Sequence, residues 1–256
     1  MRTAKLTRVE RWLRKPWYWM WRIVERSFYR GRDYTILVPH GRRVYTPWFG
    51  VGSDEEFDRA IRRVRKFGPL GVSRDRCYML YQLLRRSRHL DGDVVECGVF
   101  TGGTAHLMAC VLEGCEPVRR LHLFDTFSGM PASARAERDY HSPGQYSDTS
   151  LDRVKQRLKA FDFVEFHPGL IPDTFSELDP SDHFSFAHVD VDIYPSTMDC
   201  CTWLWPRISA GGVIVFDDYG FYPYRRAARA AVDQFFSQEK EQPLILPTGQ
   251  ALAIKY

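Results

Sequence analysis

The chain has 256 residues, 44% hydrophobic and 27% charged, enough for one substantial core and ordinary for a soluble globular protein. Its formal net charge of +4 is unevenly placed: residues 1–32 hold ten Lys/Arg against two Glu, leaving 26 basic and 30 acidic residues elsewhere, so no nucleic-acid groove is expected beyond that arm. No run reaches the roughly 18 uninterrupted apolar residues of a spanning helix, no signal-peptide core is present, and the six cysteines form no C-x-x-C pair, which fits reduced thiols in a cytoplasmic protein.

Residues 1–52 read as a basic, aromatic arm and a connection. Trp12, Trp17, Trp19 and Trp21 are interleaved with arginines, and Pro16 divides the stretch into two short helical pieces. This composition serves either an interfacial helix on anionic lipid, giving peripheral membrane contact through residues 1–32, or an arm that packs on the body or on a second subunit. A short strand is expected at YTILV. From Ser53 to Tyr256 the pattern is that of one domain. Its first part, residues 53–90, predicts two helices. SDEEFDRAIRRVRKF opens with Ser53 as cap and sets Phe57, Ile61, Val64 and Phe67 at helical spacing, and VSRDRCYMLYQLLRRSRHL sets Cys77, Leu80, Leu83 and Leu84 on one face.

DGDVVECGVFTGGTAHLMACVLEG predicts a strand from Asp93 to Cys97, a loop with Gly98, Thr101, Gly102 and Gly103, and a helix opening at Thr104. Glycines at such a turn let a ligand approach the backbone. The loop departs from G-x-G-x-x-G, and Glu96 precedes it, where a pyrophosphate would be repelled. The next strand, in VRRLHLFDTFSGMP, ends in Asp125, 29 residues after Glu96, where a carboxylate accepts ribose hydroxyls. A cofactor with a ribose but no pyrophosphate is expected, and S-adenosylmethionine satisfies both conditions, with an ammonium for Glu96 to attract. The structural alternatives are a salt bridge for Glu96 and a turn-initiating role for Asp125.

PASARAERDYHSPGQYSDTS, residues 131–150, is long and polar for a connection and predicts a lid. Tyr140, His141 and Tyr146 are placed to close over ligands, although His141 by itself reads as a solvated loop residue. Asp148 either caps the following helix or contacts the adenosine. Two apolar runs then end in carboxylates: Asp190 and Asp192 in FSFAHVDVDIYPST, Asp217 and Asp218 in GGVIVFDDYG. STMDCCTWLWPRISAGG between them reads as one helix and a glycine turn, so a βαβ unit brings both acidic pairs to one sheet edge. Grouped carboxylates there form a candidate divalent-cation site, the alternative being helix capping by Asp217 or Asp218. His188 shares the parity of Asp190 and reads as a strand histidine satisfied by a neighbour.

ECGVFTGGTA, LFDTFSGMP, SPGQYSDTSLDRVKQRL, EFHPGLIPDTF, HVDVDIYPST, GGVIVFDDYG and LPTGQALAIK, in this order, resemble the macrocin O-methyltransferase family of sugar-modifying enzymes. The resemblance covers roughly Val72 to Tyr256. It implies an α/β class I methyltransferase fold, Rossmann-like, with a seven-stranded mostly parallel sheet, its last strand antiparallel, and helices on both faces. It further implies S-adenosylmethionine held by Glu96, Gly98, Thr101, Gly102, Thr104, Asp125, Asp148 and Gly169, the last where the adenine passes. Mg2+ ligands would be Asp190, Asp217 and Asp218, with Asp190 as the base and Asp192 behind them. The implied acceptor is a sugar or polyhydroxylated hydroxyl, and the implied assembly a dimer or larger. A catechol-like diol acceptor, or a non-catalytic membrane-associated protein on the same fold, are the competing readings.

Overall fold

A computed structural model describes residues 54–132 and 137–256. The arm, the YTILV segment and Ser53 lie outside the described residues. Helix α1, Glu55–Arg65, is capped by Asp54, whose Oδ1 accepts the Phe57 N–H at 3.0 Å. The cap therefore falls one residue later than expected, on a side chain equally able to accept that bond. Phe57, Ile61 and Val64 are buried as the spacing predicts, but Phe67 is 54% exposed because the helix has already ended. Helix α2, Arg74–Ser87, buries Cys77, Leu80 and Leu84, with Tyr81 in the place foreseen for the half-buried Leu83. A buried ion pair from Arg74 to Asp58 joins the two helices.

Strands β1 (Asp93–Cys97), β2 (Leu121–Asp125), β3 (Val164–Pro168), β4 (Phe184–Val189), β5 (Ile208–Phe216), β6 (Leu244–Ile245) and β7 (Ala251–Ile254) form one sheet in the order β3-β2-β1-β4-β5-β7-β6. The first five are parallel neighbours, and β7 is antiparallel to β5. This is the expected class I methyltransferase sheet. Helices α3 (Gly103–Leu112), α4 (Leu151–Leu158), α5 (Tyr194–Leu204) and α6 (Ala228–Phe236) complete the described α-helices. Alternation fixes what each sheet face carries. Val95, Cys97, Ala187, Val189, Ile214 and Phe216 pack with residues of α5 and α6, including Cys200, Leu204, Val232 and Phe236. Glu96, His188 and Asp217 consequently point the other way.

Two further boundaries differ from expectation. Gly211 and Gly212 lie inside β5 and mark a bulge: Phe184 pairs with Ile208, yet Phe186 pairs with Val213. The glycines admit it because Gly211 has φ +80° and a Cβ on Gly212 would stand 2.8 Å from the Ser209 carbonyl oxygen. Ser150, not Asp148, caps α4, accepting the Arg153 N–H at 3.4 Å.

His106, on α3, is 1% exposed and packs against the rings of Phe67 and Phe161 at 5.3 and 5.5 Å, with no hydrogen bond to either nitrogen among the described residues. Burial, then the charges of Arg157 and Arg63, push its pKa down to about 4. The unfolded chain takes up that proton near 6.5 and the folded chain only near 4, so stability is intact above pH 6.5 and declines as pH falls through this window. His106→Leu is expected to remove up to about 3 kcal/mol of that acid-side decline, read from urea unfolding at pH 7 and pH 4.5; an unchanged difference between the two pH values would refute it.

Candidate functional site

One residue past β1, β3, β4 and β5, the sheet ladder continues. Gly98 N–H donates to Phe124 O, Asp190 N–H to Cys97 O, Gly169 N–H to Asp125 O and Asp217 N–H to Val189 O, all at 2.8–3.0 Å. The loops that follow are thereby gathered at one sheet edge. Gly98 is required there: its φ is +87°, and a Cβ would stand 1.9 Å from the Asp190 carbonyl oxygen. The glycine loop thus lies directly on the main chain of the acidic segment, and the close approach it serves is protein to protein. Gly102 takes a left-handed conformation, φ +77°, as N-cap of α3.

A cavity opens over this edge. Of the residues expected to hold cofactor or metal, Gly98, Thr101, Thr104, Asp125, Gly169, Asp190 and Asp218 line it, whereas Glu96, Gly102, Asp148 and Asp217 do not. Asp148 is exposed. Asp125 has one carboxylate oxygen on the N–H groups of Val99 and Phe100, at 2.6 and 2.9 Å, and the other on the Phe127 N–H at 2.7 Å. It does initiate a turn, and in doing so it ties the glycine loop to the end of β2 while still facing the cavity.

Glu96, His188 and Asp217 are fully buried and form a row across β1, β4 and the end of β5. Glu96 Oε1 is 2.8 Å from His188 Nδ1, and His188 Nε2 is 3.5 Å from Asp217 Oδ1. Asp217 Oδ1 also accepts from Gln250 Nε2 at 2.8 Å, and its Oδ2 is paired with Arg76 of α2. Although burial costs it, the His188 imidazole is held charged by the two carboxylates, with its pKa raised to about 10. Burial works against the charge of Asp217 too, but His188 and Arg76 prevail and lower its pKa. Asp217 therefore spends both oxygens inside the protein.

The other three carboxylates face the cavity. Asp190, Asp192 and Asp218 each present an oxygen within 4.8 Å of the others. Strand β4 ends at Val189, so alternation does not orient Asp192; a left-handed backbone, φ +60°, turns it inward. Burial first, then like charge, raises the proton affinity of all three, to about 7 for Asp192 and about 8 for Asp218. Arg76 lies 3.6 Å from Asp218 but is committed to Asp217, so the trio has no cation to itself and holds protons more tightly than free carboxylates do.

The lid reaches this trio. His141 Nδ1 donates to Gln145 Oε1 at 2.6 Å, and Nε2 lies 2.8 Å from the Tyr224 hydroxyl and 3.6 Å from Asp192. Its side chain is 7% exposed. The expectation of a solvated loop histidine is thus overturned, because partners from beyond β4 and β5 enclose it. Asp139 Oδ1 accepts the Tyr194 N–H at 2.8 Å and pins the lid to the start of α5. Arg76, Tyr224 and Gln250 have no local sequence signal, since the partners of Arg76 and Tyr224 lie far away in the chain and Gln250 occupies an ordinary turn.

Arg76→Met would leave the buried Asp217 without its guanidinium. A loss of about 3–5 kcal/mol in urea unfolding is expected, with part of it recovered in the Arg76→Met, Asp217→Asn double variant. Equal stability of the wild type and the single variant would show that the pair contributes nothing.

A family profile described as Macrocin-O-methyltransferase (TylF) matches residues 72–246. The 8-demethyl-8-(2,3-dimethoxy-alpha-L-rhamnosyl)-tetracenomycin-C 4'-O-methyltransferase of Streptomyces olivaceus is 33% identical over 147 residues, 53% of this chain and 56% of that protein. The demethyldecarbamoylnovobiocin O-methyltransferase of Streptomyces niveus is 30% identical over 158 residues, 57% of this chain and 59% of its own. The match thus spans under two thirds of either relative. The solved structure of the O-methyltransferase NovP superposes with a TM-score of 0.63 at 25% identity, covering 72% of this chain and 80% of that one. The profile covers more than half of the chain, its motifs stand at the sheet edge just described, and the chain belongs to the macrocin-O-methyltransferase family.

Proposed function

We propose that the protein transfers the methyl group of S-adenosylmethionine to a hydroxyl of a sugar or glycoside, with a Mg2+ ion at the acidic trio. The observation that carries this reading is one cavity walled both by the glycine loop with Asp125 and by Asp190, Asp192 and Asp218. The names of the relatives, which act on a rhamnosyl tetracenomycin and a novobiocin precursor, support the acceptor class.

The chain's own groups suit both ligands. Thr101 Oγ1 and Glu96 Oε2 are buried polar atoms without a partner among the described residues, and Thr104, which bears on Glu96, lines the cavity. Thr101 and Thr104 are proposed to hold the amino-acid end of the cofactor, with Glu96 supplying negative charge behind them. Asp125, immobilised by three N–H groups, retains acceptor capacity for a ribose hydroxyl. Gly169 is proposed to pass the adenine. Three hard oxygen donors without a cation of their own match Mg2+. The sequence-derived ligand set is therefore proposed with one change, Asp192 in place of Asp217, whose role becomes holding Arg76.

A bound divalent cation supplies a lowered pKa for an acceptor hydroxyl. Asp190, whose main chain rests on Gly98, is proposed as the base that takes the hydroxyl proton. The lid residues His141 and Tyr146 and the neighbouring Tyr224 close off water and orient the acceptor against the methyl donor.

The test is a methyl-transfer assay of the full-length protein with Mg2+ and parallel panels of glycosides and catechols. Glycoside methylation is expected, abolished by EDTA and restored by Mg2+. Asp190→Asn should lower kcat by about 100-fold or more with S-adenosylmethionine binding retained in calorimetry. Full turnover in EDTA would remove the cation from the mechanism, preference for catechols would change the acceptor class, and absence of cofactor binding by the wild type would remove the enzymatic reading altogether.

A further inference from the structure

We propose that His122, Glu165 and His167 form a second metal site, separate from the cavity, for a transition metal of the zinc class. His122 and Glu165 are register partners across β2 and β3, and His167 is two residues beyond Glu165. All three side chains therefore share one sheet face. None of them lines the cavity.

The spacing fits the ion. His122 Nδ1 lies 3.2 Å from His167 Nε2 and 3.5 Å from Glu165 Oε2, and one donor atom of each residue lies within 4.8 Å of the other two. Tetrahedral zinc with bonds near 2.0–2.1 Å sets neighbouring donors roughly 3.3 Å apart. Two nitrogens and a carboxylate oxygen are ligands that zinc accepts, leaving a fourth position for water.

The outer nitrogens supply an independent argument. His167 Nδ1 is 2.8 Å from Glu177 Oε2, and His122 Nε2 is 3.5 Å from Asp93 Oδ2. An ionised carboxylate only accepts, so His167 Nδ1 carries its N–H and Nε2 turns a lone pair toward His122, whose two ring nitrogens each lie 3.5 Å from a carboxylate oxygen. The 3.2 Å gap between His122 Nδ1 and His167 Nε2 is filled either by one imidazole N–H or by a cation that both nitrogens hold. Carboxylates that orient metal-binding imidazoles in this way are the usual support of such sites. Charge points to the cation. Asp93, Glu165 and Glu177 bring three negative charges, and the facing cation on β3's side is Arg120, 3.1 Å from Glu165 Oε1. The negative surround that remains favours a divalent ion.

Access and consequence follow from position. The imidazoles are 2% and 6% exposed, whereas the Glu165 side chain is 39% exposed and gives the ion an entrance. An ion held here clamps edge strand β3 to β2 and, through Glu177, to the 3-10 turn Asp173–Glu177. Gly169, Leu170 and Ile171 of the cavity wall lie between those two points, so occupancy stiffens that wall without touching its ligands.

The experiment is a Co2+ titration of chelator-treated full-length protein in excess Mg2+, followed by visible absorption. One equivalent with the intense bands of a tetrahedral nitrogen and oxygen site is expected. Glu165→Gln, an exposed and nearly isosteric change, and His167→Ala should each abolish or weaken it at least tenfold; Glu177→Gln should weaken it by about 10- to 100-fold, and Asp218→Asn should leave it unchanged. Absence of the bands in the wild type means an imidazole N–H in that gap and overturns the proposal. Bands that persist in both Glu165→Gln and His167→Ala, or that vanish with Asp218→Asn, place the ion elsewhere and overturn it equally.

Discussion

The buried row Glu96, His188, Asp217 and Arg76 is the interaction on which the arrangement of the site depends. It joins β1, β4, the end of β5 and helix α2, and it alternates negative, positive, negative, positive. Removing such charges from water is costly, and each is tolerated because its neighbour carries the opposite sign. The row decides which acids are left for chemistry. With Asp217 drawn inward, Asp190, Asp192 and Asp218 face the cavity without a counter-ion of their own. It also places Glu96 behind the glycine loop, so that one polar network underlies both the proposed cofactor end and the proposed cation end.

The second constraint is steric. Gly98 lies against the Asp190 carbonyl, which shortens the distance between the loop that would hold the methyl donor and the carboxylate that would take the acceptor proton. Methyl transfer needs this proximity more than it needs many reactive groups, because aligning the two reactants supplies much of the acceleration. The lid completes the enclosure through His141, whose contacts with Tyr224 and Asp192 tie residues 137–150 to the acidic edge. Fold, polar row and lid are thus three ways of bringing the ends of β1, β2, β4 and β5 into one small volume.

Much of this was legible in the sequence, for local reasons. Strand β1 and its glycine loop, Asp125 at the end of β2, and the acids after β4 and β5 each announce themselves through short-range patterning, since a buried parallel strand is an apolar run that breaks into polar residues at the sheet edge. The motif order was specific enough to indicate the family and its seven-stranded sheet. The boundary shifts have separate causes: Asp54 and Ser150 cap as readily as Ser53 and Asp148, α1 ends before Phe67, and Gly211 and Gly212 form a bulge inside β5.

Tertiary structure alone decided how the acids divide. Nothing in GGVIVFDDYG distinguishes Asp217 from Asp218; a guanidinium 141 residues earlier in the chain does so. Nothing in HVDVDIY predicts that Asp192 turns inward, because the end of β4 and a left-handed residue set that direction. His141 changes from a solvent residue to a clasp only when Tyr224 and Asp192 meet it. The sequence by itself determined the fold, the sheet edge and the kinds of group gathered there, because strand alternation and turn chemistry are local. Which carboxylate is neutralised and which is left facing the cavity depends on charges brought together from distant segments, and that only the folded chain could decide.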